Sequence, residues 1–183
     1  MKKWLFLALS FSALFMVLLP VTVTVGGEDE KLAYVGNAKC KMCHNKKTEG
    51  MYFDDWSETK HAKVFDLLKG DEQKDPKCLP CHTTGMGKPG GFVSLEETPK
   101  MVGVQCEMCH GPGQEHIKSK KDNVITNKGV PKVETCQVCH NDTSPHWKPE
   151  KYTTKDGKKV GFDFEQAVLL INHQKVRDAI GKK

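Results

Sequence analysis

Every cysteine in this chain belongs to one of four short strings of the same form. They are Cys40-Lys-Met-Cys43-His44, Cys78-Leu-Pro-Cys81-His82, Cys106-Glu-Met-Cys109-His110 and Cys136-Gln-Val-Cys139-His140. Cys-x-x-Cys-His is the attachment signature of haem c. The spacing follows from the chemistry: two thiols add to the two vinyl groups on one edge of the porphyrin, and the adjoining imidazole reaches the iron from the same face. Four disulfides would use eight Cys in an exported chain, but they would not call for a His after every second one. Structural zinc would take the four Cys of two pairs and leave the four following His unexplained. A thioredoxin-like pair needs a βαβ context, which is lacking. The strings therefore imply four covalently bound haem c groups, with the eight Cys as attachment points and His44, His82, His110 and His140 as iron ligands.

The N-terminus reads as an export segment. Lys2 and Lys3 precede an apolar run from Trp4 to Leu19, then Pro20 and a Val/Thr stretch ending at Gly26-Gly27, before Glu-Asp-Glu. That order describes a secretory signal over residues 1–27, with Val25 and Gly27 standing in for the usual small residues at the cleavage site. The competing reading is an uncleaved anchor that associates with the membrane, since the run plus Val21–Val25 approaches bilayer-spanning length. Pro20 and the Thr residues interrupt the run and favour cleavage. On both readings residues 28–183 form one cytochrome domain outside the cytoplasm, periplasmic or at the cell surface.

Composition fits a chain that builds its interior on a cofactor. Charged residues make up 28% and the mean hydropathy is −0.52, so about 156 residues of mature chain are short of apolar side chains for a core of their own. Porphyrin faces supply what is missing. The expected fold is mostly α and loop-rich, with short helices wrapped around four closely packed haems and little or no sheet. The formal net charge of +5 does not indicate nucleic acid, because the Lys residues are spread along the chain and not gathered in one patch. Haem propionates (about −8) and ferric porphyrins (about +4) would bring the mature, loaded protein close to neutral.

Four further His remain: His61, His116, His146 and His173. Four irons need four more axial ligands, and His on both sides is a common haem arrangement. His61 shares a helical face with Val64, Phe65 and Leu68 at i+3, i+4 and i+7. His173 lies on a C-terminal helix whose start, Asp163 with Gln166 three residues on, has the form of a capping box. Leu169, Val176 and Ile180 accompany His173, while Phe164, Val168 and Ile171 form a second apolar face, which suggests packing against both protein and porphyrin. His116 follows the third string after a Gly-Pro-Gly reversal. His146 sits in a turn-rich segment after the fourth string, where three fates are open: the last axial position, solvent, or a neighbouring molecule. Met51, Met86 and Met101 are rival ligands, although Met more often packs.

Longer strings carry a resemblance. Trp56 with Lys60-His61-Ala62-Lys63, then Cys81-His82-Thr-Thr-Gly-Met-Gly-Lys-Pro-Gly-Gly-Phe92, then Gly103-Val-Gln-Cys106-Glu-Met-Cys109-His110-Gly-Pro-Gly113 and a closing helix with a His, together resemble the cytochrome c-554 family of tetrahaem cytochromes. The resemblance implies porphyrins in stacked pairs and a crossed ligation scheme. In it, His116 serves the haem of His44, His61 that of His140, and His173 that of His110. In the family's founding member the iron matching that of His82 has no distal protein ligand. Here His146 occupies the segment that covers the open haem, and the family's Tyr-Thr-Pro-Phe pattern is reduced to Tyr152-Thr-Thr.

Three functions follow as expectations. The first is an electron carrier between redox partner proteins whose donor and acceptor the sequence does not name. The second is a homo-oligomeric subunit of an extracellular haem filament, since some related multihaem cytochromes complete a haem with a His from the next subunit. The third is an enzyme with a five-coordinate haem at His82 acting on a small nitrogen or oxygen species. An enzyme needs acid–base or electrophilic groups beside the iron, and only Thr83, Thr84 and Lys88 are near the second string. The expectation is therefore a carrier and no catalytic residue.

Overall fold

The computed structural model describes residues 32–48, 50–119, 131–171 and 173; the export segment lies outside them, as do Val176 and Ile180. The described chain begins with helix α1 (Asn37–His44), a hairpin of β1 (Asn45–Lys46) and β2 (Gly50–Met51), and helix α2 (Tyr52–Ser57). Two 3-10 turns follow, Val64–Leu67 and Gly70–Lys74, then α3 (Leu79–His82) and a third 3-10 turn, Pro99–Met101. The remaining elements are α4 (Cys106–His110), α5 (Gln114–Ser119), α6 (Val133–Gln137), a second hairpin of β3 (Tyr152–Thr153) and β4 (Lys159–Val160), and α7 (Phe164–Ile171). Both hairpins are antiparallel pairs, Asn45 opposite Met51 and Tyr152 opposite Val160. The fold is thus mostly helix and loop with two small ladders. No described helix is long and apolar enough to cross a membrane.

Each haem string coils into one helical turn. His44, His82 and His110 are the last residues of α1, α3 and α4. In the fourth string α6 ends at Gln137, and the turn carries on as the N–H groups of Cys139 and His140 donate to the Cys136 carbonyl at 3.2 and 2.9 Å. Residues i, i+3 and i+4 of such a turn share one face, which brings two thiols and an imidazole to the same side. The helices are far below the length that holds in water alone, so tertiary contacts keep them folded.

The side-chain core is small and off-centre. Phe65, Leu68, Leu79, Phe92 and Met101 are its buried members, with Tyr34, Cys78, Met86, Leu95 and Val102 packed around them. The Phe65 and Phe92 rings lie 6.2 Å apart. No described residue of α1, α2, α5, α6 or α7 is fully buried. The loop after the second string closes tightly over this core: the Phe92 N–H donates to the Thr84 carbonyl at 2.9 Å. A Cβ on Gly91 would stand 1.7 Å from the Gly85 carbonyl oxygen, so only glycine lets the two stretches meet.

Two helices differ from the sequence expectation. The stripe from His61 to Leu68 is not continuous α-helix: α2 stops at Ser57, His61 stands in a turn, and Val64–Leu67 is a 3-10 turn. The Thr59 hydroxyl donates to the Trp56 carbonyl at 2.7 Å and accepts the Ala62 N–H at 3.2 Å, a local alternative to the helical ladder. Phe65 and Leu68 are nevertheless buried as the stripe implies. At α7 the Gln166 N–H donates to Asp163 Oδ1 at 3.0 Å. The Gln166 amide turns to Asp163 Oδ2 and to the Thr153 carbonyl, so half of the capping box is redirected to β3. Phe164, Val168 and Ile171 are half-buried, whereas Leu169 and Leu170 are exposed.

Candidate haem-binding site

Six of the eight imidazoles meet in three pairs. His44 at the end of α1 faces His116 on α5, centroids 6.0 Å apart with planes 27° from parallel. His140 faces His61 at 6.0 Å, and His110 faces His173 at 5.9 Å. Each pair joins a string His to one of the spare His. A gap of this size accommodates one metal ion with a metal–nitrogen bond of about 2 Å on each side plus the two half-rings. Burial, followed by His140 and Lys151, holds the His61 imidazole below its ordinary pKa. Burial and Lys151 do the same at His140. Burial and His110 lower His173, against the opposing pull of Asp55. Lowered values keep these rings neutral, the form that ligates metal.

His82 is arranged differently. Its Nδ1 lies 2.8 Å from the Val64 carbonyl oxygen. A carbonyl only accepts, so Nδ1 carries the hydrogen and Nε2 is left for a metal, the usual second contact of a ligating His. His146 is exposed in the turn after the fourth string. Among the described residues no ring contact joins His146 to His82, in contrast to the other three pairs. Met101 is buried and Met86 packs against the same core, which accounts for both as packing; Met51 is half-buried in β2.

No disulfide joins the eight thiols, and they cluster between strings. Cys40 and Cys106 hydrogen-bond each other, which lowers the Cys40 thiol pKa and raises that of Cys106. Burial pushes Cys139 up to about 12, helped by a hydrogen bond to Cys81. Burial and Cys136 push Cys109 up to about 11. The first string therefore lies against the third and the second against the fourth, while α4 packs on α6.

Residues 102–107 organise this assembly. The Gly103 N–H donates to the His82 carbonyl and the Val104 N–H to the His61 carbonyl, both at 2.9 Å. The Trp56 indole N–H donates to the Val104 carbonyl at 2.9 Å. Thr84 is fully buried, with its hydroxyl donating to the Gly103 carbonyl at 2.7 Å and accepting the Gln105 N–H at 3.0 Å. The Thr83 hydroxyl, also buried, donates to the Leu79 carbonyl at 2.7 Å.

The chain also matches known proteins in part. The family model described as cytochrome c554 and c-prime matches residues 39–111, the stretch that holds the first three strings. The likeness to that family covers these residues, under half of the chain. The chain is also similar to cytochrome c-554 of Nitrosomonas europaea, 28% identical over 173 residues that cover 74% of this chain and 72% of the relative. A solved structure, the reduced state of cytochrome c554 from the same organism, aligns with 25% identity and a TM-score of 0.43, over 81% of this chain and 77% of that one. The likeness to cytochrome c554 supports a multihaem electron-transfer cytochrome with covalently bound haem c.

The donor set fits that cofactor: paired thiols on one helical turn, an imidazole beside them, and a second imidazole opposite in three cases. Glu107 and Gln105 are the side chains that sequence reasoning missed. Glu107 is 3% exposed. It accepts the N–H groups of Val35, Gly36 and Gly113. Burial pushes its carboxyl up while those three donors pull it back down. The Gln105 carbonyl oxygen accepts the Asn37 N–H at 2.8 Å, and its amide donates to the carbonyls of Lys100 and Val102. Their position next to a Cys of the third string was the available signal.

Proposed function

We propose that this chain is an exported tetrahaem cytochrome that passes single electrons between periplasmic or cell-surface redox proteins. Bound haem iron supplies one-electron redox chemistry. The chain's own residues fix the geometry. The eight Cys would hold the haem groups, while His44 with His116, His140 with His61, and His110 with His173 would ligate three of the irons. The observation that carries this reading is the three imidazole pairs at 5.9–6.0 Å. The contacts between thiols of the first and third strings, and of the second and fourth, support porphyrins close enough to exchange electrons directly. Against an enzyme, the Thr83 and Thr84 hydroxyls are committed to backbone partners, and Lys88 is exposed.

The exposure of His146 favours a second reading, in which a neighbouring copy supplies the last ligand to the haem of His82 and the chain works in a filament. EPR of the oxidised protein separates these cases. Four low-spin haems in the monomer assign His146 to its own chain. A high-spin signal near one haem in four that vanishes on assembly assigns it to a neighbour. A high-spin signal that persists in every state restores a small-molecule site at His82. High-spin signals from two or more haems would sink the axial pairs themselves.

A further inference from the structure

We propose that Glu107 is a positioning residue for the first haem: it fixes both of that haem's axial imidazoles from the third haem string. The inference rests on the reading that His44 and His116 ligate one haem. Glu107 Oε2 accepts the Gly36 N–H at 2.8 Å, and both carboxylate oxygens accept the Val35 N–H, at 3.0 and 3.1 Å. Gly36 is the N-cap of α1, and α1 ends on His44. On the other side Oε1 accepts the Gly113 N–H at 2.7 Å. Gly113 stands at the head of α5, where its carbonyl takes the Ile117 N–H at 3.0 Å, and His116 is three residues on. One carboxylate thus grips the N-terminal ends of both helices that present the facing rings.

The chemistry of the group explains why it is a carboxylate. An ionised Glu offers two acceptor oxygens and no donor, so it can serve three N–H groups at once. A Gln of the same shape has a single acceptor oxygen and would turn an N–H donor towards one of the two arms. The corresponding positions of the other strings hold Lys41, Leu79 and Gln137, none of which carries a carboxylate. A buried carboxylate with three backbone donors is also costly to disturb, since each orphaned N–H loses a charge-assisted partner.

The test compares Glu107→Gln, Glu107→Asp and His116→Ala with wild type, all as holoproteins with four haems verified by intact mass. The readout is the ferric EPR spectrum, scored as high-spin signal gained over wild type. The expected result is a new high-spin component in E107Q, rising towards the one haem in four that H116A releases. E107D, which keeps two acceptor oxygens on a shorter stem, should show a smaller one. If H116A yields the component and E107Q matches wild type, Glu107 does not position these ligands. If H116A yields none, the ligation reading fails and the proposal goes with it. Should E107Q not mature, hydrogen exchange of wild-type holoprotein decides: Val35, Gly36 and Gly113 amides are expected to exchange slowly together, and fast exchange at Gly113 overturns the proposal.

Discussion

Residues 64–105 and residues 133–171 carry the second and fourth haem strings, yet they are held together by different means. The first region owns the whole buried apolar cluster, from Phe65 to Met101, and ties its backbone through the buried hydroxyls of Thr83 and Thr84. The second has no fully buried residue in α6 or α7, and its polar contacts are mostly exposed, such as Lys155 with Glu165. What packs there is ring against ring: His140 on Phe162 at 5.2 Å and 12°, and the Trp147 ring over Gly161. The contrast teaches that the buried apolar side chains gather in one region, and on the proposed function a haem organises the other.

That contrast can be broken by experiment. Replacing Cys136 and Cys139 with Ser would remove the attachment proposed for the fourth haem. The expected outcome is loss of hydrogen-exchange protection across 133–171, with 64–105 still protected; equal loss in both would show that the first region has no independent core. Phe92→Ala strikes the opposite side and should cost about 3–5 kcal/mol, read from denaturant unfolding of the holoprotein. The damage should fall on 64–105 first. Thr84→Val leaves the Gln105 N–H and the Gly103 carbonyl without their partner, at about 1–3 kcal/mol, and should shift the same transition less. Gly161→Ala would set a Cβ 2.0 Å from the Trp147 ring and is expected to destabilise the fourth-string region by about 1–3 kcal/mol. Removing the exposed Lys155–Glu165 pair should change nothing measurable in either region; a clear loss would mean surface contacts matter there after all.

The same division marks how far the sequence could be read. The four Cys-x-x-Cys-His strings stand out in the sequence because attachment chemistry dictates residue type at fixed spacing, and each coils into a helical turn. The spare His were countable in the sequence, and the rings of His61, His116 and His173 each lie within about 6 Å of a string imidazole, which the proposed ligation scheme uses. The broken stripe around His61 was not legible, since Thr59 offers a competing hydrogen bond that periodicity does not register. Glu107 was hidden for another reason. Its three partners lie at positions 35, 36 and 113, and a contact across 72 residues leaves no local pattern. His146 was read as a candidate ligand from the count of spare His and from its place in the segment that covers the open haem in the resembling family, and here it is exposed in a turn.

The separation between Glu107 and Val35 also sets an order in time. A chain is made from its N-terminus onward, so the string around Cys40 appears first, while the carboxylate that holds the start of its helix is still unmade. During that interval α1 has only eight residues and no long-range partner, and a helix so short does not persist in water. Cys40, Cys43 and His44 therefore leave the ribosome as an open segment, and the contact that holds the start of their helix forms only when the third string arrives.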